Sequence, residues 1–385
     1  MPAHICVLAA VFNRHPLRKS INSMKNLFGA HKIDKYIEIV GSNNPRINAL
    51  VRGSQLTIRA TLSKRYTKVG ITMVDDMAGL KRLVAKKPDL VVLGMKLILL
   101  DPSKSYNDSP KLWLSSYLKK NGINFTGSDA EAVSLEFDKQ LAKQKVIDAG
   151  LQTTPYFISR VNQRVPKHTL RFPLFVKPSN SADSRGIDEK SVVYSEEELK
   201  AKISTVHSDF GFDVLVEEYL PGREFSVAVV ARARSNNLIA MPIEISIPAD
   251  KKGNSFLSQA VKAADSEKVL AVDDPKLKSA INALAIGVFK ALGARDYGRI
   301  DMRLDSQGNP SFIEANLVPG LSDRGYLSRC FYLNDQIAYE DMILSIVNLA
   351  FKRVVSLPIK KPTTVLRPGL DELDATPLAG VGLVV

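Results

Sequence analysis

The chain has 385 residues, 45% apolar and 24% charged, long enough for two or three cores and composed like a globular protein. No apolar run approaches the length of a bilayer span, and two cysteines, Cys6 and Cys330, are too few for a disulfide framework. The formal charge of +13 is uneven: residues 1–137 hold 21 Lys and Arg against 10 Asp and Glu, net +11, which leaves +2 for the rest. Such a basic third fits nucleic acid, anionic lipid or an acidic small molecule, and equally a face that serves only solubility. It lacks cations interleaved with aromatics, so nucleic acid is the weakest of these. The five histidines show no zinc-like spacing. The start, Met-Pro-Ala-His-Ile-Cys, lacks a basic stretch feeding a long apolar one, so a cytoplasmic protein without a signal peptide is expected.

In residues 1–137, Ile5–Val11 and Asp89–Leu93 read as buried strands with a helix, Met77–Ala85, between them. Alternating strands and helices predict a parallel α/β sheet. Gly122–Ser128 leads to Asp129, a predicted N-cap. Asp138-Lys139 opens a helix through Asp148, stopped at Ala149-Gly150. Pro173–Lys177 is a strand with a cation at its end, followed by the small polar loop 179–186. Small residues let backbone N–H groups approach an anion, and Lys177 can reach a phosphate as a point charge. It is not a Walker pattern. Asp213–Tyr219 and Phe225–Val230 are strands around Leu220-Pro221-Gly222-Arg223-Glu224, and Ala240–Ile247 is another. Residues 249–268 read as a charged loop beside the site, Asp274–Ala291 and Ala338–Arg353 as helices.

The most informative stretch is 296–321. Two strands, Arg299–Leu304 and Ser311–Asn316, flank a turn at 305–309. Strand residues alternate faces, so Arg299, Asp301 and Arg303 share one face. On the second strand Glu314 and Asn316 share a face, with Ile313 and Ala315 opposite. Paired as a hairpin, Asp301, Glu314 and Asn316 converge, a set of hard oxygen ligands that suits Mg²⁺. On a free hairpin the same charges would merely face water; two acids, an amide and an Arg on compatible faces, beside Pro319-Gly320, favour convergence.

Gly298-Arg299-Ile300-Asp301, Ile313-Glu314-Ala315-Asn316 and Pro319-Gly320 resemble the metal-binding strands of ATP-grasp ligases, above all D-alanine–D-alanine ligase and its relatives. Asn124–Ser128 leading into Phe137-Asp138-Lys139 is similar to the junction between their first and central domains. The resemblance implies an α/β fold of the α+β ATP-grasp type. An N-terminal parallel α/β domain (1–137) would precede two α+β subdomains (138–230 and 231–355) that clamp ATP, with a tail (356–385) outside the core.

It further implies ATP with Mg²⁺, Mn²⁺ being an alternative, as two ions on Asp301, Glu314 and Asn316. Lys139 and Lys177 would meet the nucleotide phosphates or adenine, with Ser184 of the polar loop also at the nucleotide. Glu217 and the Leu220 backbone would face adenine, and Glu224 the ribose. Lys262 would reach the γ-phosphate from a lid, while Arg299 and the Gly320 N–H would stabilise an oxyanion. The expected activity is carboxylate–amine ligation through an acyl phosphate, on small carboxylate and amine substrates such as amino acids, in a homodimer like many relatives. D-alanine–D-alanine ligase proper and a non-catalytic ATP-binding regulatory module are the alternatives.

Three departures bear on substrate. The relatives carry, after their first strand, a Glu that holds an amino group; Ala10–His15 has no acid there and offers Arg14, which suits a carboxylate or is a surface side chain. Asp183 stands in their Gly-Ser-Ser core, where it would bind an amine or pair with Arg185. Ser322–Tyr326 differs from their usual continuation, which leaves the acceptor open.

Overall fold

The computed structural model describes residues 31–353, except 46, 102, 105–108, 181–185, 233–236, 259–260, 262–263 and 265. The expected strand at 5–11, Cys6, Arg14, Asp183, Ser184, Lys262 and the tail from 356 lie outside the described residues.

The first sheet has β1 (Ile33–Gly41) at its centre, with β2 (Tyr66–Met73) and β3 (Leu90–Leu93) parallel on either side. Ile37 and Ile39 of β1 enter one core and Val40 the other. Both faces are covered, as parallel sheets require. Ile58 and Leu62 of α1 (Arg52–Ser63) pack on one face, and Leu80 and Leu83 of α2 (Met77–Ala85) join the other core. Asp76 caps α2 by accepting from the Gly79 N–H at 2.7 Å. The expected parallel arrangement is found, but β1, β2 and α1 are additions to the sequence reading. Their charges hide them: Glu38 is buried in β1, bonded by the Tyr36 and Thr72 hydroxyls and by Lys86.

A short pair, β4 (Leu97–Leu99) and β5 (Lys111–Trp113), leads to α3 (Leu114–Lys120) and α4 (Ala130–Ser134). Asp129 sits at the N-cap position of α4, yet its side chain caps nothing. The stronger attraction is Arg295, whose Nη1 reaches Asp129 Oδ2 at 3.0 Å. The helix α5 (Lys139–Asp148) starts where expected, Asp138 accepting from the Leu141 N–H at 2.9 Å.

The second sheet is antiparallel, in the order β6 (Tyr156–Ser159), β9 (Val214–Glu218), β7 (Leu174–Pro178), β8 (Val192–Val193). Leu199, Ile203 and Val206 of α6 (Glu196–Phe210) close its core. The third sheet, also antiparallel, runs β12 (Lys268–Ala271), β11 (Leu238–Ser246), β10 (Glu224–Ala231), β13 (Tyr297–Leu304), β14 (Pro310–Asn316). The segment expected as a loop over 249–268 has helical residues at Val261 and Ala264 and gives way to edge strand β12 at Lys268.

The two faces of the third sheet differ. Phe225, Val227, Val229, Ile300 and Met302 pack with α7 (Pro275–Ala291), through Ile281, Ala285, Val288 and Phe289. On the other face Ala228, Val230 and Tyr297 meet Leu327, Cys330 and Phe331 of α8 (Tyr326–Asp335) and Ile343 and Ile346 of α9 (Tyr339–Lys352). Along that same face, past Ala228, the side chains turn polar: Ser226 and Glu224 on β10, opposite Asp301 and Arg303 on β13. Apolar cover ends there and a cleft begins.

Arg353, just after α9, ties this body to the first sheet. Its guanidinium reaches Asp296 Oδ2 at 2.8 Å, Asn124 Oδ1 at 2.7 Å and the Phe125 carbonyl. Asp296 is buried at 6% exposure, holds a left-handed φ of 59° and also accepts from the Gly127 N–H at 2.9 Å. Removing one partner of a buried pair leaves the other charge stranded. Arg353→Ala is expected to cost about 3–5 kcal/mol, read as a lower urea midpoint with an unchanged m-value; an unchanged midpoint contradicts this.

Candidate functional site

The site is built on strand pairing. β13 pairs with β14 so that Arg299 faces Asn316 and Asp301 faces Glu314, while Met302 faces Phe312. The register therefore shifts by one between Asp301 and Met302, with Ile313 as the extra residue on β14. This bulge decides the site. Phe312, Glu314 and Asn316 have the same parity, and without a shift all three would point to one side. With it, Phe312 stays in the core against Met302 while Glu314 turns to Asp301 and the cleft. Ile313, expected opposite to Glu314, also lines the cleft for this reason.

Asp301 is held from two sides. Ser226 Oγ donates to Oδ1 at 2.6 Å, and Arg299 forks onto the carboxylate, Nε to Oδ1 and Nη2 to Oδ2, both at 3.0 Å. An ionised carboxylate offers about four acceptor positions, so Oδ2 keeps one for a further partner. Burial opposes the charge on Arg299, but Asp301 outweighs it and the guanidinium pKa is raised. The Tyr326 ring lies 5.3 Å from that guanidinium, its hydroxyl donating to Glu267 at 2.7 Å. Asn316 Oδ1 is buried and has no hydrogen-bond partner. A lone buried acceptor is costly and calls for a donor or a cation. Two carboxylates and this amide oxygen fit a hard divalent ion. Among the described residues no group of three or more His, Cys, Asp or Glu competes for that description.

Beside these groups lies a cluster of buried lysines. Lys143 is fully buried and bridges to Glu217 at 2.8 Å, while Lys177 bridges to its other oxygen at 2.6 Å. Thr154 donates to Glu217 at 3.1 Å. Burial would raise the Glu217 pKa, but Lys143 and Lys177 overcome it and hold it at about 2. Lys139 is 6% exposed, and its pKa is lowered by burial and by Lys177 and Lys96, with Glu314 and Glu217 opposing. Three buried lysines thus share two acids, Glu217 and Glu314, in one desolvated cluster. Lys139 and Lys177 line the cleft, where an anionic ligand can meet them.

The cleft encloses about 870 Å³, part of it open to solvent. Lys139, Lys177, Glu217, Leu220, Glu224, Arg299, Asp301 and Glu314 all line it. Asn316 and Gly320 lie outside that lining. A Cβ on Gly320 would come within 3.3 Å of the Ala49 carbonyl oxygen, so the 319–320 turn rests on the loop after β1. The linker from β9 to β10 is braced by Arg303, which donates to the Gly222 carbonyl at 2.9 Å and stacks on Tyr219 at 5.2 Å. The Tyr219 hydroxyl takes the Ser255 N–H at 3.0 Å and Phe256 meets Phe175 edge-on, so this part of the 249–267 segment roofs the cleft. Sequence reasoning missed Lys143, Tyr219, Ser226 and Phe256 as site residues, while Tyr326, read as substrate-facing, lines the cleft. Lys143 was findable, one helical turn after Lys139. Ser226 needed the β10–β13 register.

The family model described as D-ala D-ala ligase C-terminus matches residues 148–348. D-alanine–D-alanine ligase of Lacticaseibacillus casei is 30% identical over 234 residues, 59% of this chain and 61% of that protein. An uncharacterized Sinorhizobium fredii protein, y4sG, is 28% identical over 238 residues, 61% of this chain and 69% of its own length. The chain thus spans about two thirds of these relatives. The solved structure of D-alanine–D-alanine ligase from Bacillus anthracis complexed with ATP superposes with a TM-score of 0.64 at 20% identity, over 83% of this chain and 98% of that one. No described helix is long and apolar enough to cross a membrane. Half of the chain matches one family model and its fold is the α+β ATP-grasp fold: this chain belongs to the D-alanine–D-alanine ligase family of ATP-grasp ligases.

Proposed function

We propose that the protein is an ATP-dependent carboxylate–amine ligase that works through an acyl phosphate and releases ADP and phosphate. One observation carries this reading. Asp301 faces Glu314 in the cleft that Lys139 and Lys177 also line, and the unpartnered Asn316 oxygen follows two residues along the same strand. The triphosphate lies along Lys139 and Lys177, whose crowding it relieves. Adenine takes the Leu220 backbone, with Glu217 near it, and the ribose takes Glu224. Asp301, Glu314 and Asn316 would hold Mg²⁺, which supplies charge neutralisation at the phosphates. A substrate carboxylate attacks the γ-phosphorus, the bond to the ADP oxygen breaks, and the amine then attacks the acyl carbon as phosphate leaves. The spare Nη1 of Arg299 and the Gly320 N–H stabilise the oxyanion. Ser184 and Lys262 belong to the same proposal, toward the phosphates.

The acid substrate is not held by an ammonium group at the first sheet. Ligands of parallel sheets bind at the carboxyl ends of the strands. There the loop after β1 abuts the Gly320 turn, and no Asp or Glu occurs between Glu38 and Asp75. Asp75 itself is spent on Ser42 and Asn43. A dicarboxylate or other acid without an α-ammonium fits this edge. The similarity to D-alanine–D-alanine ligases favours the second reading, D-alanine as both substrates.

An ADP-release screen over dicarboxylate and amino-acid pairs, with product masses, tests the proposal. Release that needs both an acid and an amine, with a product lighter than their sum by one water, is expected. Release stimulated by D-alanine alone makes it D-alanine–D-alanine ligase, and nucleotide binding without release on any pair makes it a regulatory module. Arg299→Ala is expected to lower kcat about 10²–10³-fold with ATP affinity nearly unchanged; equal losses contradict the oxyanion role. Glu217 has a depressed pKa, so its ionised form stabilises the fold fully above its ordinary value near 4.5, and this is lost as pH falls toward about 2. The stability gap between wild type and Glu217→Gln should therefore shrink across that window in urea melts; a pH-independent gap contradicts the assignment.

A further inference from the structure

Glu136 lies two residues before the cap of α5, on no element of the cleft, and is buried at 9% exposure. Its Oε1 accepts two backbone N–H groups, Leu317 at 2.6 Å and Val318 at 2.9 Å. Its Oε2 takes the ammonium of Lys96, which is mostly buried itself and lies 5.4 Å from the Phe137 ring centre. Leu317 and Val318 are buried and follow Asn316 directly, ahead of Pro319-Gly320. They lie beyond the end of β14, so their N–H groups have no ladder partner. One carboxylate, itself anchored on the first sheet's side by Lys96, thus fixes the backbone between a metal ligand and the oxyanion turn.

We infer that Glu136 is a positioning residue that sets the geometry of Asn316 and Gly320 for the divalent ion and the reaction. This rests on the ligase reading above. The physical reason is bond accounting. Two buried N–H groups left without an acceptor are costly, so the segment re-aims itself when Glu136 is removed. Groups that hold a metal's ligands commonly matter about 10–100-fold in metal affinity. The carboxylate serves here through its shape as well as its charge: one oxygen between two adjacent N–H donors, the other on a cation. Glutamine keeps the first contact and loses the ion pair; alanine loses both.

The test is Mn²⁺ binding, read by electron paramagnetic resonance with a non-hydrolysable ATP analogue present, together with analogue affinity without metal and hydrogen exchange across 315–320. For Glu136→Ala we expect Mn²⁺ affinity to fall about 10–100-fold, faster exchange at Leu317 and Val318, and metal-free analogue affinity within about twofold. Glu136→Gln should lie between wild type and alanine in both readouts, and it serves alone should the alanine variant not fold. Wild-type Mn²⁺ affinity in the alanine variant, or in the glutamine variant when alanine does not fold, overturns the inference, as does an equal loss of metal-free analogue binding. Failure of the wild-type protein to bind the analogue at all would instead overturn the ligase reading.

Discussion

The site depends on a single misregistered residue. Antiparallel strands give their side chains a strict two-residue alternation, and a shift of one reverses every side chain beyond it. Ile313 provides that shift. Below it, Phe312 fills the core beneath the sheet; above it, Glu314 and Asn316 belong to the cleft face with Asp301 and Arg299. A regular ladder would bury Glu314 opposite Ile300 or turn Phe312 to the cleft. The bulge lets one seven-residue strand serve both a core and a charged site.

The electrostatics follow from where the apolar cover stops. α8 shields the sheet face as far as Ala228, and the side chains beyond are charged and partly withdrawn from water. In such a place charges must be paired or wait for a partner. Asp301 is paired with Arg299, and Glu217 with Lys143 and Lys177. Burial first, and Lys177 and Lys96 after it, lower the pKa of Lys139, with Glu314 and Glu217 opposing. A polyanion entering the cleft would meet two desolvated lysines, Lys139 and Lys177.

Much of this was legible in the sequence, for identifiable reasons. The alternation over 299–304 and the turn at 305–309 gave the hairpin, because Asp305 caps its own turn through the Gln307 and Asn309 N–H groups. The Asp cap and Gly stop of α5 are local signals and were readable as such, whereas α6, capped by Ser195 and ended at Gly211, is an addition to the sequence reading. What escaped depends on contacts distant in sequence. β1 and β2 carry charged residues whose burial is tolerable only because Glu38, Thr72 and Lys86 meet across strands. The loop that rests on the Gly320 turn follows β1, ending at Gly41, a strand the sequence reading did not include. Lys143, Ser226 and Glu136 act through residues 74, 75 and 181 positions away, beyond any local pattern.

The central claim is that Asp301, Glu314 and Asn316 form one ligand set, because the bulge at Ile313 turns them to one side. Crystals grown with Mn²⁺ and a non-hydrolysable ATP analogue test it through anomalous scattering at the manganese edge. The account predicts an ion bound by Asp301, Glu314 and the Asn316 side-chain oxygen, against phosphate oxygens of the analogue. Manganese bound elsewhere, with the analogue in the cleft and these three side chains uncoordinated, would contradict it.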